Sequence, residues 1–323
     1  MGKGLNGLRV PAISVVMLCY NHASFVAQAL FAFDRQTFNN FEMIIVDDFS
    51  SDGSLDIINS WAKATELRHR IISNTSNRGI CRGINHALEY ARGEFICVIA
   101  ADDWPESDFL EQMHAILSNS SSTVAFAFAD VKKVDRSGEV IDCVQDSGDS
   151  PEEFSSDKSL FHALLADNFV AAPAVLIRRH SLDAVGGYDE DLAFEDYDMW
   201  LKLSFQFSAK YVPKPLVNYR ILPTSMSRAP EQYERMKNAE LLILEKWKDS
   251  TSESNVIIAH HMRSICYELL KRGVFELANE YMSVAQSLSP SAKWNLFAFF
   301  SSIPMVRWIV QMPVKRAITR KFL

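Results

Sequence analysis

Ile13-Ser14-Val15-Val16-Met17-Leu18-Cys19-Tyr20-Asn21 and Ile45-Val46-Asp47-Asp48-Phe49-Ser50-Ser51-Asp52-Gly53-Ser54 are the two stretches that decide the fold. Each is an apolar run of strand length that stops abruptly at polar or acidic residues. Similar runs at Arg70–Ser73, Glu94–Ile99 and Thr123–Ala129, with Phe41–Val46 around the second stretch, predict further strands. Helical spacing lies between them: Phe25, Ala29 and Phe33 share one face, as do Leu55, Ile58 and Trp61, and Ile80, Ile84, Ala87 and Ala91. Strands alternating with such helices predict an α/β fold whose mostly parallel sheet is covered on both faces. Ligands of these sheets bind outside the carboxyl ends of the strands, so the polar residues there are the candidate site.

Three of those ends are alike. The first strand runs into Cys19-Tyr20-Asn21-His22, the second into Asp47-Asp48, and the fourth into Ala101-Asp102-Asp103-Trp104. Carboxylates crowded on one rim repel, and a bound cation or hydrogen-bonding ligand relieves that repulsion. A hard divalent ion with oxygen ligands, holding a diphosphate, suits these donors better than a soft metal. Each motif also has a plainer reading. Asp52 and Ser54 are good helix caps, and Asp102-Asp103-Trp104-Pro105 reads as the cap and first turn of a helix bearing Phe109, Leu110 and Met113. Glu195-Asp196-Tyr197-Asp198 reads as the acidic first turn of a helix, and Tyr20 as a half-buried packing residue.

The chain has 323 residues, a length that favours two domains. Hydrophobic residues at 48% and charged ones at 23% exclude a disordered chain, and a net charge of −7 argues against a nucleic-acid partner. Five cysteines without CxxC spacing suggest neither a disulfide framework nor a zinc site and favour a reducing compartment. Ile13–Cys19 is too short for a signal peptide's apolar core, and Asn6 does not fit an N-terminal acylation signal. His260 and His261 are adjacent, so they point to different helix faces and cannot chelate one ion as an i, i+4 pair does.

Residues 131–160 are polar and acidic, which predicts a flexible excursion with a turn at Ser137-Gly138. Beyond Pro230 only helices are predicted, at Glu231–Lys248, Val256–Lys271 and Val274–Leu288, the last two joined at Gly273. This pair resembles one tetratricopeptide-like unit, and a solitary unit cannot build a solenoid. Domains are therefore expected at 1–228 and 229–323, the second an all-helical extension. Its end, residues 290–323, carries Lys293, Arg307, Lys315, Arg316, Arg320 and Lys321 and no acid. Trp294–Met312 is nearly long enough to span a bilayer, but Pro304 and Arg307 stand near its middle. Packing on the domain and lying in a membrane interface remain. The second is favoured by the aromatic residues and the basic cluster, and predicts peripheral contact through 294–323 at the inner, cytoplasmic face.

The strand-end motifs continue through Asn77-Arg78-Gly79 to Asn85, Ala91-Arg92-Gly93-Glu94-Phe95-Ile96, Gly186-Gly187-Tyr188-Asp189-Glu190 and Glu195-Asp196-Tyr197-Asp198-Met199-Trp200-Leu201. Together, and in this order over residues 12–228, they resemble the motifs of family 2 glycosyltransferases. The resemblance implies the GT-A fold (Rossmann-like), a nucleotide-sugar donor, a saccharide or lipid-linked acceptor, Mn²⁺ or Mg²⁺, and inversion at the sugar carbon. It implies that Tyr20 lies against the base, that Asp48 with Asp47 accepts hydrogen bonds from the base, and that Arg78 contacts phosphate or base. It further implies that Asp102 and Asp103 hold ribose and metal, and that Asp196 is the general base, supported by Glu195 and Asp198 with Trp200 packed beneath.

The chemistry accounts for these parts. The leaving diphosphate develops negative charge that a cation stabilises, and the acceptor hydroxyl, of very high pKa, needs a carboxylate to take its proton. Three positions depart from the family's pattern. Ala100 stands where Asp is common, Ile84 where Arg often precedes Asn85, and Leu222 where a metal- or diphosphate-binding His is frequent. Two readings follow: an active, metal-dependent glycosyltransferase of surface-glycan or polysaccharide synthesis, with a uridine diphosphate sugar the commonest donor, or a nucleotide-sugar-binding scaffold that has lost turnover. A nucleotidyltransferase would need a Gly-rich, basic loop after the first strand, and Cys19–Ala23 is neither.

Overall fold

Every residue of β1 (Ile13–Cys19) and β2 (Phe41–Asp47) is buried, as strands covered on both faces must be. The computed structural model describes residues 10–143, 152–154, 158–222 and 230–294. β1 and β2 run parallel, in register from Ile13 opposite Phe41 to Cys19 opposite Asp47. β3 (His69–Ser73) adds parallel to β2, and β4 (Phe95–Ala100) adds parallel to the other side of β1. The order therefore reverses between β1 and β4, and such a switch opens a crevice beyond the strands' carboxyl ends. Helices α1 (Val26–Asp34), α2 (Ser54–Ala64) and α3 (Ile80–Leu88) connect these strands. α1 and α2 bury the expected faces, around Ala29 and Phe33 and around Ile58 and Trp61. In α3 the buried face is Cys81, Ile84, Ala87 and Leu88, because the helix ends before Ala91.

The chain continues through β5 (Trp104–Pro105), α4 (Phe109–Ser118), β6 (Val124–Val134), β7 (Val140–Cys143), β8 (Glu152–Phe154) and α5 (Ser159–Ala166). It then forms β9 (Val175–Arg178), α6 (Arg179–Ala184), α7 (Asp196–Gln206) and β10 (Ser208–Arg220). The sheet order is β3-β2-β1-β4-β9-β6-β10-β5, with β7 on β6 and β8 on β10. This is an α/β sheet as expected, parallel through β3-β2-β1-β4 and in the β6–β10 pair but mixed beyond them, with β9 antiparallel to both its neighbours.

One expectation is corrected, and one plainer reading is excluded. The segment after residue 130 is not an excursion as far as Cys143: β6 runs on to Val134, turns at Asp135–Glu139 and returns as β7. Asp135 Oδ1 accepts the amides of Ser137, Gly138 and Glu139, which closes that turn. Asp102 and Asp103 do not cap a helix. α4 begins at Phe109 with Asp108 at its N-cap, and Trp104–Pro105 pair antiparallel with β10.

A buried polar knot fixes the opposite ends of β1, β2 and β4. Ser14 Oγ donates to Glu42 Oε1 at 2.7 Å, and the amides of Arg92 and Gly93 donate into the pair. A Cβ on Gly93 would lie 2.4 Å from the Ser14 nitrogen and 2.6 Å from the Ile13 carbonyl carbon. Both are strand backbone and cannot yield cheaply. Gly93→Ala should therefore cost at least about 2 kcal/mol, read as a lower urea midpoint.

The chain divides into two compact units, Met1–Leu160 with Phe169–Ser225, and Phe161–Asn168 with Met226–Leu323. The second contains α8 (Pro230–Lys246), α9 (Ser254–Arg272) and α10 (Phe275–Leu288), with Gly273 at φ 80° ending α9. Left-handed backbone there favours glycine. His261 is a packing residue: Nδ1 lies 2.9 Å from the Leu165 carbonyl and Nε2 3.4 Å from Glu240. Among the described residues no helix is long and apolar enough to cross a membrane. The membrane-contact expectation falls on a tail that, beyond Trp294, lies outside the described residues.

Candidate active site

The register of three parallel strands sets the rim. Cys19 pairs with Asp47 and Leu18 with Ala100, and the last rungs are Asp48 N to Cys19 O and Ala101 N to Leu18 O, both 2.8 Å. Tyr20, Asp48 and Asp102 thus emerge from one edge, on strands about 4.8 Å apart. The loops after β1 and β2 are stapled together. Asn21 N donates to Ser50 Oγ, Ser51 N to Asn21 Oδ1, His22 N to Ser54 Oγ and Ala23 N to Asp52 Oδ2, all within 3.0 Å. Asp52 lies one residue outside the N-cap of α2, Gly53; its Oδ1 accepts the first helical amide, Ser54 N, at 3.0 Å while its Oδ2 takes Ala23 N, so it caps the helix and joins the two loops.

Asp48 gathers the β3–α3 loop. Its Oδ1 accepts Asn74 Nδ2 and Arg78 N at 2.8 Å, and Oδ2 accepts Gly79 N at 2.9 Å. A carboxylate offers about four acceptor positions, so one is left for a ligand. Asp47 is buried; its Oδ2 accepts Ser50 N, and its Oδ1 has no hydrogen bond. Tyr20 stands 48% exposed and Phe49 56% exposed on this edge. Phe49 is held at φ 69°, which a bulky side chain rarely adopts. Sequence reasoning passed over Phe49, although a large residue between Asp48 and Ser50 in a turn is a readable signal of strain. Arg78 is exposed and close enough to Glu190 to hold that carboxyl below its usual range, after the larger effects of Asn85 and Arg82.

After β4 the two acids part. Asp103 is only 3% exposed, and its Oδ1 accepts Arg220 N at 2.7 Å. Burial and the neighbouring Asp102 push its carboxyl well above the usual carboxylate range. Asp102 is more open at the rim, with Oδ1 3.8 Å from His22 Nδ1. Arg220 clamps this turn. Its guanidinium donates to the carbonyls of Asp102, Asp135 and Arg136 and to Gln28 Oε1, and it stacks on Phe25 and Trp104. Leu222, just beyond, is buried and supplies no donor atom.

A second acidic turn opens α7. Glu195 is its N-cap and Asp196 its first residue, whose Oδ1 accepts Tyr197 N at 2.6 Å. Asp198 is buried and paired with Lys202 at 2.6 Å, and Trp200 is buried in a stack on Phe126. Desolvation, then Asp196, pushes Glu195 up to about 8. Burial, then Glu195, Asp189, Asp198 and Asp196, pushes the Cys81 thiol of α3 up to about 12, so it is no nucleophile at neutral pH. The buried Tyr188 hydroxyl is raised first by burial, then by Glu195, Cys81 and Asp196, and also by Cys97 of β4. The acidic turn therefore lies near α3 and β4. Asn85 holds the approach to it, donating to the Tyr188 carbonyl and Glu190 and accepting Tyr188 N.

The raised Glu195 value makes a stability prediction. Folding favours its protonated form, so the penalty is absent below about 4.5, grows as pH rises and is complete above about 8. Glu195→Gln should flatten the fall in stability between pH 5 and 8, measured by urea unfolding.

The chain is similar to known glycosyltransferases. The model of the family described as Glycosyl transferase family 2 matches residues 14–164. The putative glycosyltransferase EpsH of Bacillus subtilis is 30% identical over 66% of this chain and 62% of its own length. The putative teichuronic acid biosynthesis glycosyltransferase TuaG of the same organism is 27% identical over 67% of this chain and 82% of its own. The chain thus spans less than two thirds of EpsH. Among solved structures, S. aureus TarS residues 1–349 in complex with UDP-GlcNAc superposes with a TM-score of 0.68 at 17% identity, covering 96% of this chain and 92% of that one. A mannosyltransferase of Pyrobaculum calidifontis, in complex with GDP-Man and Mn²⁺, superposes at 0.58, with 17% identity, over 96% of this chain and 89% of its own. These structures share the GT-A fold, and the family match shows a glycosyl transferase family 2 domain at residues 14–164.

Proposed function

We propose that the protein transfers a sugar, with inversion, from a nucleoside diphosphate sugar to a saccharide or lipid-linked acceptor, in surface-glycan or polysaccharide synthesis. The observation that carries this reading is the convergence of Tyr20, Asp48 and Asp102 at the β1–β4 switch. UDP-sugars are the first donors to try, because TarS is described with UDP-GlcNAc.

The residues fit a divalent ion. Asp103 is raised first by burial and then by Asp102 beside it, a repulsion that a cation relieves, and Asp47 Oδ1 and His22 Nδ1 are buried on the rim without hydrogen bonds. Among the described residues no three His, Cys, Asp or Glu gather as a metal cage. One or two protein ligands suffice where diphosphate oxygens complete the shell. Asp102, the more open acid, is the ligand, while Asp103 anchors the turn to Arg220. An ion bound there would act as a Lewis acid on the leaving diphosphate.

Asp196 takes the proton of the acceptor hydroxyl. The acceptor oxygen forms its bond to the anomeric carbon, and the bond from that carbon to the diphosphate oxygen breaks. Its electron pair leaves with the nucleoside diphosphate. Burial, then the charge of Asp196, raises the Glu195 carboxyl and favours its protonated form, which leaves Asp196 as the base of this reading. Incubating the protein with nucleotide sugars, Mn²⁺ and an acceptor pool tests the reading. Release of nucleoside diphosphate supports it. Binding without release favours the scaffold reading that Ala100 and Leu222 motivate, and pyrophosphate release contradicts both.

The basic, aromatic sequence 294–323 supports peripheral attachment at the inner face of the membrane, beside a lipid-linked acceptor. Flotation with anionic liposomes should then be stronger for the full chain than for residues 1–290. Equal flotation contradicts the attachment.

A further inference from the structure

We infer that His22 supplies an imidazole ligand to the divalent ion at the mouth of β1 and β4. The inference rests on the proposed ion at Asp102. His22 directly follows the strand whose neighbour ends in Asp102, so the β1–β4 pairing brings together two residues far apart in sequence. Its backbone is fixed on both sides. The amide donates to Ser54 Oγ at 2.9 Å, and the carbonyl accepts Phe25 N and Val26 N at 2.8 and 2.9 Å. The ring packs edge-on to Phe25, 6.5 Å between centroids.

The informative atom is Nδ1. It is buried, makes no hydrogen bond and lies 3.8 Å from Asp102 Oδ1. An unsatisfied buried polar atom costs about 1–3 kcal/mol, so its position calls for a partner that appears with the ligand. Octahedral ligands at about 2.1 Å from an ion lie about 3.0 Å apart when adjacent and about 4.2 Å apart when opposite. The observed separation falls between, so one ion reaches both atoms after a small adjustment. Ala100 and the buried Leu222 offer no competing donor there. An imidazole nitrogen suits a first-row transition ion, whereas Mg²⁺ prefers oxygen, so His22 also tilts the site toward Mn²⁺.

Electron spin-echo envelope modulation on the full chain with Mn²⁺ and uridine or guanosine diphosphate tests this. The wild type should show directly coordinated ¹⁴N that changes to ¹⁵N when histidine alone is ¹⁵N-labelled. His22→Gln should lose the coupling and bind Mn²⁺ about tenfold more weakly or worse, with Mg²⁺ binding changed less. The labelled wild type carries the test even where a variant fails to fold. Bound Mn²⁺ with oxygen couplings alone overturns the role of His22 and leaves Asp102 as a ligand. Absence of bound Mn²⁺ with either nucleotide overturns both.

Discussion

Asp102→Asn should lower kcat/KM about 100- to 1000-fold at fixed Mn²⁺, the loss expected when a preorganised electrostatic stabiliser of a leaving group is removed. The substitution preserves side-chain shape, and the Arg220 clamp holds the Asp102 backbone carbonyl, so the turn itself should survive. Raising Mn²⁺ should recover part of the rate, because the defect lies in holding the ion. Asp103→Asn provides the contrast. It can still accept Arg220 N through its amide oxygen and relieves the repulsion from Asp102, so it should lose less than tenfold. Steady-state kinetics across a Mn²⁺ series checks both. Equal, severe losses would place the ion on Asp103 instead.

Asp196→Asn should remove transfer by about 100- to 10,000-fold while leaving nucleoside diphosphate affinity within about threefold of wild type. The base acts only in the chemical step, and an Asn at the start of α7 still accepts the Tyr197 amide. Calorimetric titration alongside turnover separates the two effects. A large loss of affinity would make Asp196 a donor ligand.

The rim was legible because parallel strands buried on both faces appear in sequence as short, largely apolar runs, and their ends as sudden polar or acidic residues. The helices of the second unit were legible from period and from Gly273. The β6–β7 hairpin was not, since its outer residues are charged and find ion-pair partners. Lys132 meets Glu106 and Lys133 meets Asp142, both at 2.7 Å, so composition there resembled a loop. His22 was hidden for a different reason. A ligand spacing can be read only within one element, and the partner of His22 arrives from another strand. The separate fates of Asp102 and Asp103 were likewise invisible, because only the end of β10 decides which acid turns inward. Phe49 and Arg220 belong with them: one strained at the edge, the other clamping four chain segments.

The stereochemistry of the first-formed product tests the central claim most directly. Proton NMR of a reaction with an α-linked nucleotide sugar should show a β-linked product and free nucleoside diphosphate, from the wild type and not from Asp196→Asn. A product that retains the α configuration, or equal product from Asp196→Asn, would contradict direct displacement by an acceptor that Asp196 deprotonates.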